Sequence, residues 1–334
     1  MIDNANFQKA VEPINKSNNI LVTTHTRPDG DACGSVAAMC DALAGLGKKV
    51  KALLLSEVPE WYEFLFSEKP AILGQDVTSQ QLDDGQFGNF DLIMIVDTNS
   101  LSQLPKFEDY LKRQTGTPVL VIDHHATSDG LGDIELVDTE AAATGMIIFE
   151  LLKSADWEVT EKMAEVLFVA VATDTGWFRF GNTDSRVYRT AGELVESGAD
   201  CAKIYHKLYE NFSPQRFKLM SAMLNTLELH FGGRYATQQL LRKDFERTGA
   251  AYKDTENLVD ECRRIGSIEA AALFVELKDG RVRCSLRSMG KVDVRTIAQK
   301  FGGGGHPAAA GTYLSGPVTN AMELIKTEIG KQLK

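Results

Sequence analysis

No unbroken apolar stretch in the chain approaches the roughly 20 residues needed to cross a bilayer, and Met1 to Lys16 mixes charges without an apolar h-region. A membrane partner and a secretory signal are therefore not expected, and the expected location is cytoplasmic. A basic surplus is also missing. Asp and Glu number 46 against 36 Lys and Arg, for a net charge of −10 and a pI near 5.2. Long nucleic acid is normally captured by clustered Lys and Arg, so it is not an expected partner. A short phosphate-bearing ligand stays open, because bound cations can invert a local acidic field. The five cysteines (Cys33, Cys40, Cys201, Cys262, Cys284) are odd in number and form no CxxC. That argues for reduced thiols over a disulfide frame or a zinc knuckle. There is no internal repeat and no low-complexity tract.

What is present is a soluble-type composition, 43% hydrophobic and 25% charged, over 334 residues. That is enough chain for two domains. Three apolar runs end in acid or imidazole groups. Ile20 to Thr24 leads to His25 and Pro28-Asp29-Gly30-Asp31, Asp91 to Val96 leads to Asp97-Thr98, and Pro118 to Ile122 leads to Asp123-His124-His125. Such runs read as buried strands delivering ligands to the carboxyl edge of a sheet. Helical patterns alternate with them: about Ala32 to Leu46, Pro59 to Phe66 and Phe107 to Arg113. The expected fold class is therefore α/β, with a doubly wound, mostly parallel sheet. Helices are expected at about Ala141 to Ser154 and Thr160 to Thr173, the second ending in Asp174. Beyond Gly232, strands at Tyr235 to Leu241, Ile268 to Leu277, Arg281 to Arg287 and Ala309 to Leu314 alternate with helices at Thr255 to Arg264, Val292 to Phe301 and the C-terminus. The expected domains are 1–184, carrying the acid and imidazole groups, a helical connector over 185–230, and a smaller α/β domain over 231–334.

His25, Asp29, Asp31, Asp97, His124 and Asp174 form an inventory suited to two neighbouring divalent cations, with imidazole shifting the preference toward Mn, Fe, Co or Zn. A pair about 3.5–4 Å apart can activate water and clamp a displacement at phosphorus. Singly, Asp29-Gly30-Asp31 also fits an Asx turn with a helix cap, Asp97 a cap, and Asp174 a structural helix end. In the C-terminal part, Gly302 to Gly305 followed by His306 fits either an anion-binding nest of amides or a hinge. Period two along Arg281 to Arg287 puts Val282, Cys284 and Leu286 on one face and Arg283, Ser285 and Arg287 on the other. The second face fits a phosphate or, equally, a solvated strand.

The ordered segments His25 to Ser35, Val96-Asp97-Thr98 and Asp123-His124-His125, with Gly302 to His306, resemble the DHH phosphoesterase superfamily and its DHH-associated C-terminal domain. The likeness covers nearly the whole chain and is greatest to the bifunctional nanoRNase/pAp phosphatase (oligoribonuclease) branch. It implies two divalent cations, Mn²⁺ first with Mg²⁺ or Co²⁺ as alternatives. His25, Asp29 and Asp97 would hold one, and Asp31, Asp97, His124 and Asp174 the other, with Asp97 bridging. His125 would face the substrate phosphate as a catalytic group alongside Asp97. Arg283, Ser285, Arg287, Gly303, Gly304, Gly305 and His306 would bind substrate, with the active site between the two domains. The segment Ala141 to Gly145 corresponds to a less stringent motif, expected to serve close helix packing. The implied substrates are short single-stranded oligonucleotides and the nucleoside bisphosphate pAp, with a homodimer left open. Rival readings are a phosphodiesterase of linear or cyclic dinucleotides, and a nucleotide-binding regulator with a vestigial site. Retention of all six ligand positions speaks against the regulator.

Overall fold

The computed structural model describes residues 2–333 and divides into two compact units, Met1–Glu210 and Asn211–Lys334. In the first, α1 (Asn4–Lys16) precedes β1 (Asn19–Thr23), α2 (Gly30–Gly45), β2 (Lys49–Leu54), a 3-10 segment (Glu60–Leu65), β3 (Ala71–Ile72), α3 (Ser79–Asp83) and β4 (Leu92–Val96). Then follow α4 (Phe107–Arg113), β5 (Val119–Asp123), β6 (Ile134–Val137), α5 (Thr144–Ser154), α6 (Glu161–Asp174), α7 (Ser185–Glu196) and α8 (Cys201–Tyr209). The six strands form one parallel sheet in the order β3-β2-β1-β4-β5-β6. The order reverses between β1 and β4, and in such sheets ligands gather at the carboxyl ends beside that reversal.

Both faces of the sheet are covered, which explains the unbroken apolar strands. Ile20, Val22, Met94, Val96, Leu120 and Ile122 pack on α1, α2, α5 and α6. Their neighbours Leu21, Ile93, Ile95 and Val121 point the other way, onto Phe107 and Tyr110 of α4 and Leu82 of α3. The small residues of α2 serve helix-to-helix approach. A Cβ on Gly34 would fall 2.5 Å from the Val166 carbonyl oxygen of α6, and one on Gly145 of α5 would fall 2.5 Å from the Ala170 methyl. Helices α7 and α8 add Val187, Leu194, Ile204 and Leu208 to this same core.

The second unit runs α9 (Pro214–Leu224), β7 (Glu228–His230), β8 (Tyr235–Leu240), α10 (Arg242–Thr248), β9 (Ala270–Glu276), β10 (Arg281–Ser288), α11 (Val294–Lys300), β11 (Gly304–Gly305), β12 (Ala309–Ser315) and α12 (Val318–Gln332). Its mixed sheet has the order β11-β12-β10-β9-β8-β7. Val282, Cys284 and Leu286 are fully buried on the face covered by α11 and α12, as their alternation requires. The stretch read as a connector is shared out: α7 and α8 belong to the first unit, and α9 buries Leu219 and Met223 in the second.

One expected helix of the second unit changes character. The helix expected over Thr255 to Arg264 is a 3-10 segment, Leu258–Arg264, entered through Asn257 at φ 58°. Several short elements (β3, α3, β6, β7, α10 and β11) carried too few residues to show a period.

Candidate metal centre

β1 ends just before His25, whose Nδ1 lies 2.9 Å from the Thr26 carbonyl oxygen. A carbonyl can only accept, so Nδ1 carries the proton and the Nε2 lone pair faces Asp97 Oδ2 at 3.4 Å. His124, one residue past β5, repeats the device. Its Nδ1 lies 3.2 Å from the Ala141 carbonyl. Its Nε2 faces Asp97 Oδ1 at 3.5 Å, Asp174 Oδ2 at 3.4 Å and Asp31 Oδ2 at 3.8 Å. A histidine held by its far nitrogen on a carbonyl is the usual arrangement behind a metal ligand. Lone pairs that face carboxylate oxygens are repulsive unless a cation or proton lies between them. Separations of 3.4–3.8 Å are long for hydrogen bonds. They match two ligand atoms each about 2.0–2.2 Å from a shared ion. The donor set therefore fits divalent cations.

The potential ligand atoms fall into overlapping groups: His25 with Asp29 and Asp97, Asp31 with His124 and Asp174, and Asp97 with His124 and His125. All six positions of the inventory are thus gathered at the reversal of the sheet, with the two oxygens of Asp97 turned toward different imidazoles. Asp97 is buried and sits in left-handed backbone at φ 62°, a conformation that Asp tolerates better than most residues. Asp29 also performs the capping role that its turn suggested, since its Oδ1 accepts from the amides of Asp31 and Ala32, both at 3.1 Å.

Without cations this is a costly arrangement of charge. Burial, and then the charges of Asp31, Asp29, Asp174 and Asp123, hold the Asp97 carboxyl well above the ordinary carboxylate range. Burial followed by Asp31 and Asp29 does the same to Asp174. Burial raises Asp31 as well, partly offset by His124 and by two backbone amides.

Asp123 supports the cluster in a way that its position at a strand end does not reveal. Fully buried, it accepts at Oδ1 from the amides of His124 (2.8 Å) and His125 (3.2 Å) and from His125 Nδ1 (2.8 Å). The hydrogen bond from Nδ1 fixes the tautomer of His125 and, more than any other influence, raises its pKa. The segment Ala141 to Gly145 does more than pack helices. At the start of α5, the amides of Thr144 and Gly145 donate to the two oxygens of Asp31 (2.6 and 2.9 Å), and Thr144 Oγ1 donates to Asp97 Oδ1 (3.0 Å). Ser35 Oγ adds a bond to Asp31 Oδ1 at 3.2 Å. The available signal was positional: the first amides of any helix lack intrahelical acceptors and seek an anion.

In the second unit, Arg283, Ser285 and Arg287 share one face of β10 as expected, opposite Tyr313, Gly311 and Ala309 of β12. The arginines are not idle there. Arg287 Nε donates to Asp260 Oδ1 at 3.0 Å, and Arg283 Nη2 donates to Thr255 Oγ1. Arg283 Nε is buried without a hydrogen-bond partner. The glycine run differs from the expected nest. The amides of Gly302, Gly303 and His306 donate to the carbonyls of Gln299, Ala298 and Ala309, while Gly304 and Gly305 form the edge strand β11. Close approach still demands glycine, because a Cβ on Gly303 would lie 2.2 Å from the Gly311 oxygen.

Family models match at two places: the DHH family N-terminal domain over residues 19–171 and the DHHA1 domain over 232–334. The bifunctional oligoribonuclease and PAP phosphatase NrnA of Thermus thermophilus is 32% identical over 325 residues, covering 94% of this chain and 90% of that protein. The NrnA of Bacillus subtilis is 28% identical, covering 91% and 92%. Among solved structures, an exopolyphosphatase-related protein from Bacteroides fragilis superposes with a TM-score of 0.91 at 24% identity, over 99% of this chain and 97% of that one.

Proposed function

Because this chain belongs to the DHH family of phosphoesterases, we propose that it hydrolyses short oligoribonucleotides and 3′-phosphoadenosine 5′-phosphate to nucleoside monophosphates. The class of reaction, hydrolysis of phosphate esters, comes with the family, whose members depend on bound metal. The choice of substrate is supported by the match to the NrnA of Thermus thermophilus, which extends through both units. The observation that carries the reading is the meeting of His25, Asp29, Asp31, Asp97, His124 and Asp174 around two acceptor-only imidazole nitrogens.

His25, Asp29 and Asp97 would hold one cation and Asp31, Asp97, His124 and Asp174 the other, with Mn²⁺ suiting a mixed imidazole and carboxylate set. When bound, such a pair activates water and neutralises charge on the phosphoryl oxygens. The chain's own residues supply the rest. Asp123 keeps a proton on His125 Nδ1 and favours the doubly protonated ring, whose Nε2–H can hand its proton to the leaving oxygen and leave the neutral Nδ1–H form behind. Thr144 Oγ1 and the amides of Thr144 and Gly145 fix the rotamers of Asp97 and Asp31. In the second unit Ser285, Arg283 and Arg287 would take a substrate phosphate, with Arg287 exchanging Asp260 for it. Gly303, Gly304, Gly305 and His306 would border that site through close backbone approach.

The deciding experiment is turnover of pAp, pApA and cyclic di-AMP by the full chain in Mn²⁺, with and without a chelator. Hydrolysis of the first two, abolished by chelation, is the expected result. Hydrolysis indifferent to the chelator would remove the metal centre from the account, and cleavage of cyclic di-AMP alone would reassign the substrate.

A further inference from the structure

The loop after Asp174 carries aromatic rings and a guanidinium that the chemistry above leaves unused. Trp177 and Phe178 occupy left-handed backbone at φ 59° and 61°, where bulky residues are seldom found. Both are anchored inward on Phe168, with ring centroids 5.9 and 5.7 Å away. Outside them lies a second layer. Trp177 meets Tyr205 and Tyr209 edge-on, at 5.0 and 5.5 Å, and these two tyrosines, one turn apart on α8, lie 5.1 Å from each other. Despite these contacts Tyr205 and Tyr209 are 39% and 38% exposed. Arg179 is exposed, and its Nε donates to the Gly176 carbonyl at 2.6 Å. Among the described residues no carboxylate pairs with it.

This layer borders the acid cluster. A Cβ on Gly30 would fall 2.3 Å from Thr173 Oγ1, so the Asp29 turn abuts the Asp174 end of α6, from which the aromatic loop departs. The 3-10 segment Glu60–Leu65 closes the flank, with Lys207 of α8 lying over the Phe64 ring at 4.5 Å. Its Tyr62 stands near both Asp29 and Tyr209: burial first, then those two groups, push its hydroxyl well above the usual phenol range.

We infer that Tyr205 and Tyr209 form a stacking platform for the nucleobase of a nucleoside monophosphate unit, with Arg179 holding that unit's phosphate, as a subsite beside the metal centre. The inference rests on the function proposed above and adds to it the means by which this unit grips a base. Stacking accepts every base, because each has a π-face, and an exposed aromatic pair with an unpaired cation is the usual composition of such platforms. It would make short substrates bind with little sequence preference.

The test is calorimetric titration of the full chain, in Mn²⁺, with AMP and with ribose 5-phosphate. Wild type should bind AMP about tenfold more tightly, the scale of one base–aromatic contact. Combining Tyr205→Leu with Tyr209→Leu should erase that gap, while combining Tyr205→Phe with Tyr209→Phe keeps it. Arg179→Ala should weaken both ligands alike. Thermal melts certify that the variants are folded; if the double Leu chain is not, Tyr205→Leu alone is measured and should narrow the gap. An AMP preference that persists in a folded Leu variant, or that is missing in wild type, overturns the platform. Turnover of pApA by wild type is scored separately. Its failure, with the AMP preference still following the tyrosines, would sink the proposed reaction and leave the platform standing.

Discussion

Asp97 lies between two imidazoles, with one oxygen turned to each, in a pocket where burial and four neighbouring carboxylates oppose its charge. A side chain so placed is poorly suited to stabilising the fold and well suited to bridging cations. Asp97→Ala should therefore lower turnover by at least about a hundredfold, the several kcal/mol that a metal pair supplies to such a reaction. The melting temperature of the chelated protein should not fall. A variant with near-normal rates would show that the bridge lies elsewhere. Thr144 offers a subtler case, since its hydroxyl donates to Asp97. Thr144→Val should raise the Mn²⁺ concentration needed for half-maximal activity by about 10- to 100-fold, the range for lost partners of metal ligands, and Thr144→Ser should restore it. An unchanged Mn²⁺ dependence would mean that the backbone amides alone position the cluster.

At the scale of elements, the centre depends on how closely three helices approach. Gly34 faces the Val166 carbonyl, which cannot rotate away as a side chain could. Gly34→Ala should cost about 1–3 kcal/mol, as overpacking usually does, and be visible as a lowered denaturation midpoint. A second contact ties α7 to the far end of α5. Arg186 donates to Asp138 Oδ2 and to Glu150 Oε2, both at 2.7 Å, with its side chain only 11% exposed. Burial is the largest single influence on the Asp138 carboxyl and raises it, but the hydrogen bond and charge of Arg186, together with the Glu140 amide, outweigh it and hold the group below its ordinary range. A depressed folded-state pKa means stability that is fully present above the unfolded value, near pH 4, and is lost as the pH falls through the folded one. Asp138→Asn should accordingly lose less stability than wild type between pH 4 and pH 2 in matched chemical melts. Equal acid slopes would show that the pair is not linked to folding.

For the molecule as a whole, the first unit closes its own core: both faces of the parallel sheet are covered by helices that end before Asn211. Residues 1–210 expressed alone should melt cooperatively, and Mn²⁺ should raise that transition, because a cation that binds only the folded state stabilises it by about 2.7 kcal/mol at a hundredfold excess over its dissociation constant. A fragment that melts without cooperativity, or is untouched by Mn²⁺, would show that the cluster needs the rest of the chain. No helix among the described residues is long and apolar enough to cross a membrane.

The sequence by itself determined which strands are buried and where they end. Continuous apolar runs such as Ile93 to Val96 are stable only between two covered faces, and an acid or imidazole at the end of such a run has to emerge at a sheet edge. That local logic picks out His25, Asp29, Asp31, Asp97 and His124, whereas Asp174 ends an apolar helix and is singled out only by that weaker signal and by the family resemblance. Only the tertiary structure decided which groups support them, because the partners come from remote segments: Thr144 is 47 residues from Asp97 and 113 from Asp31. It also decided that the glycine run is an edge strand and that Arg287 is already paired with Asp260. Hydrogen-bond partners and free amides are properties of distance in space, and a one-dimensional pattern of residue types carries no record of them.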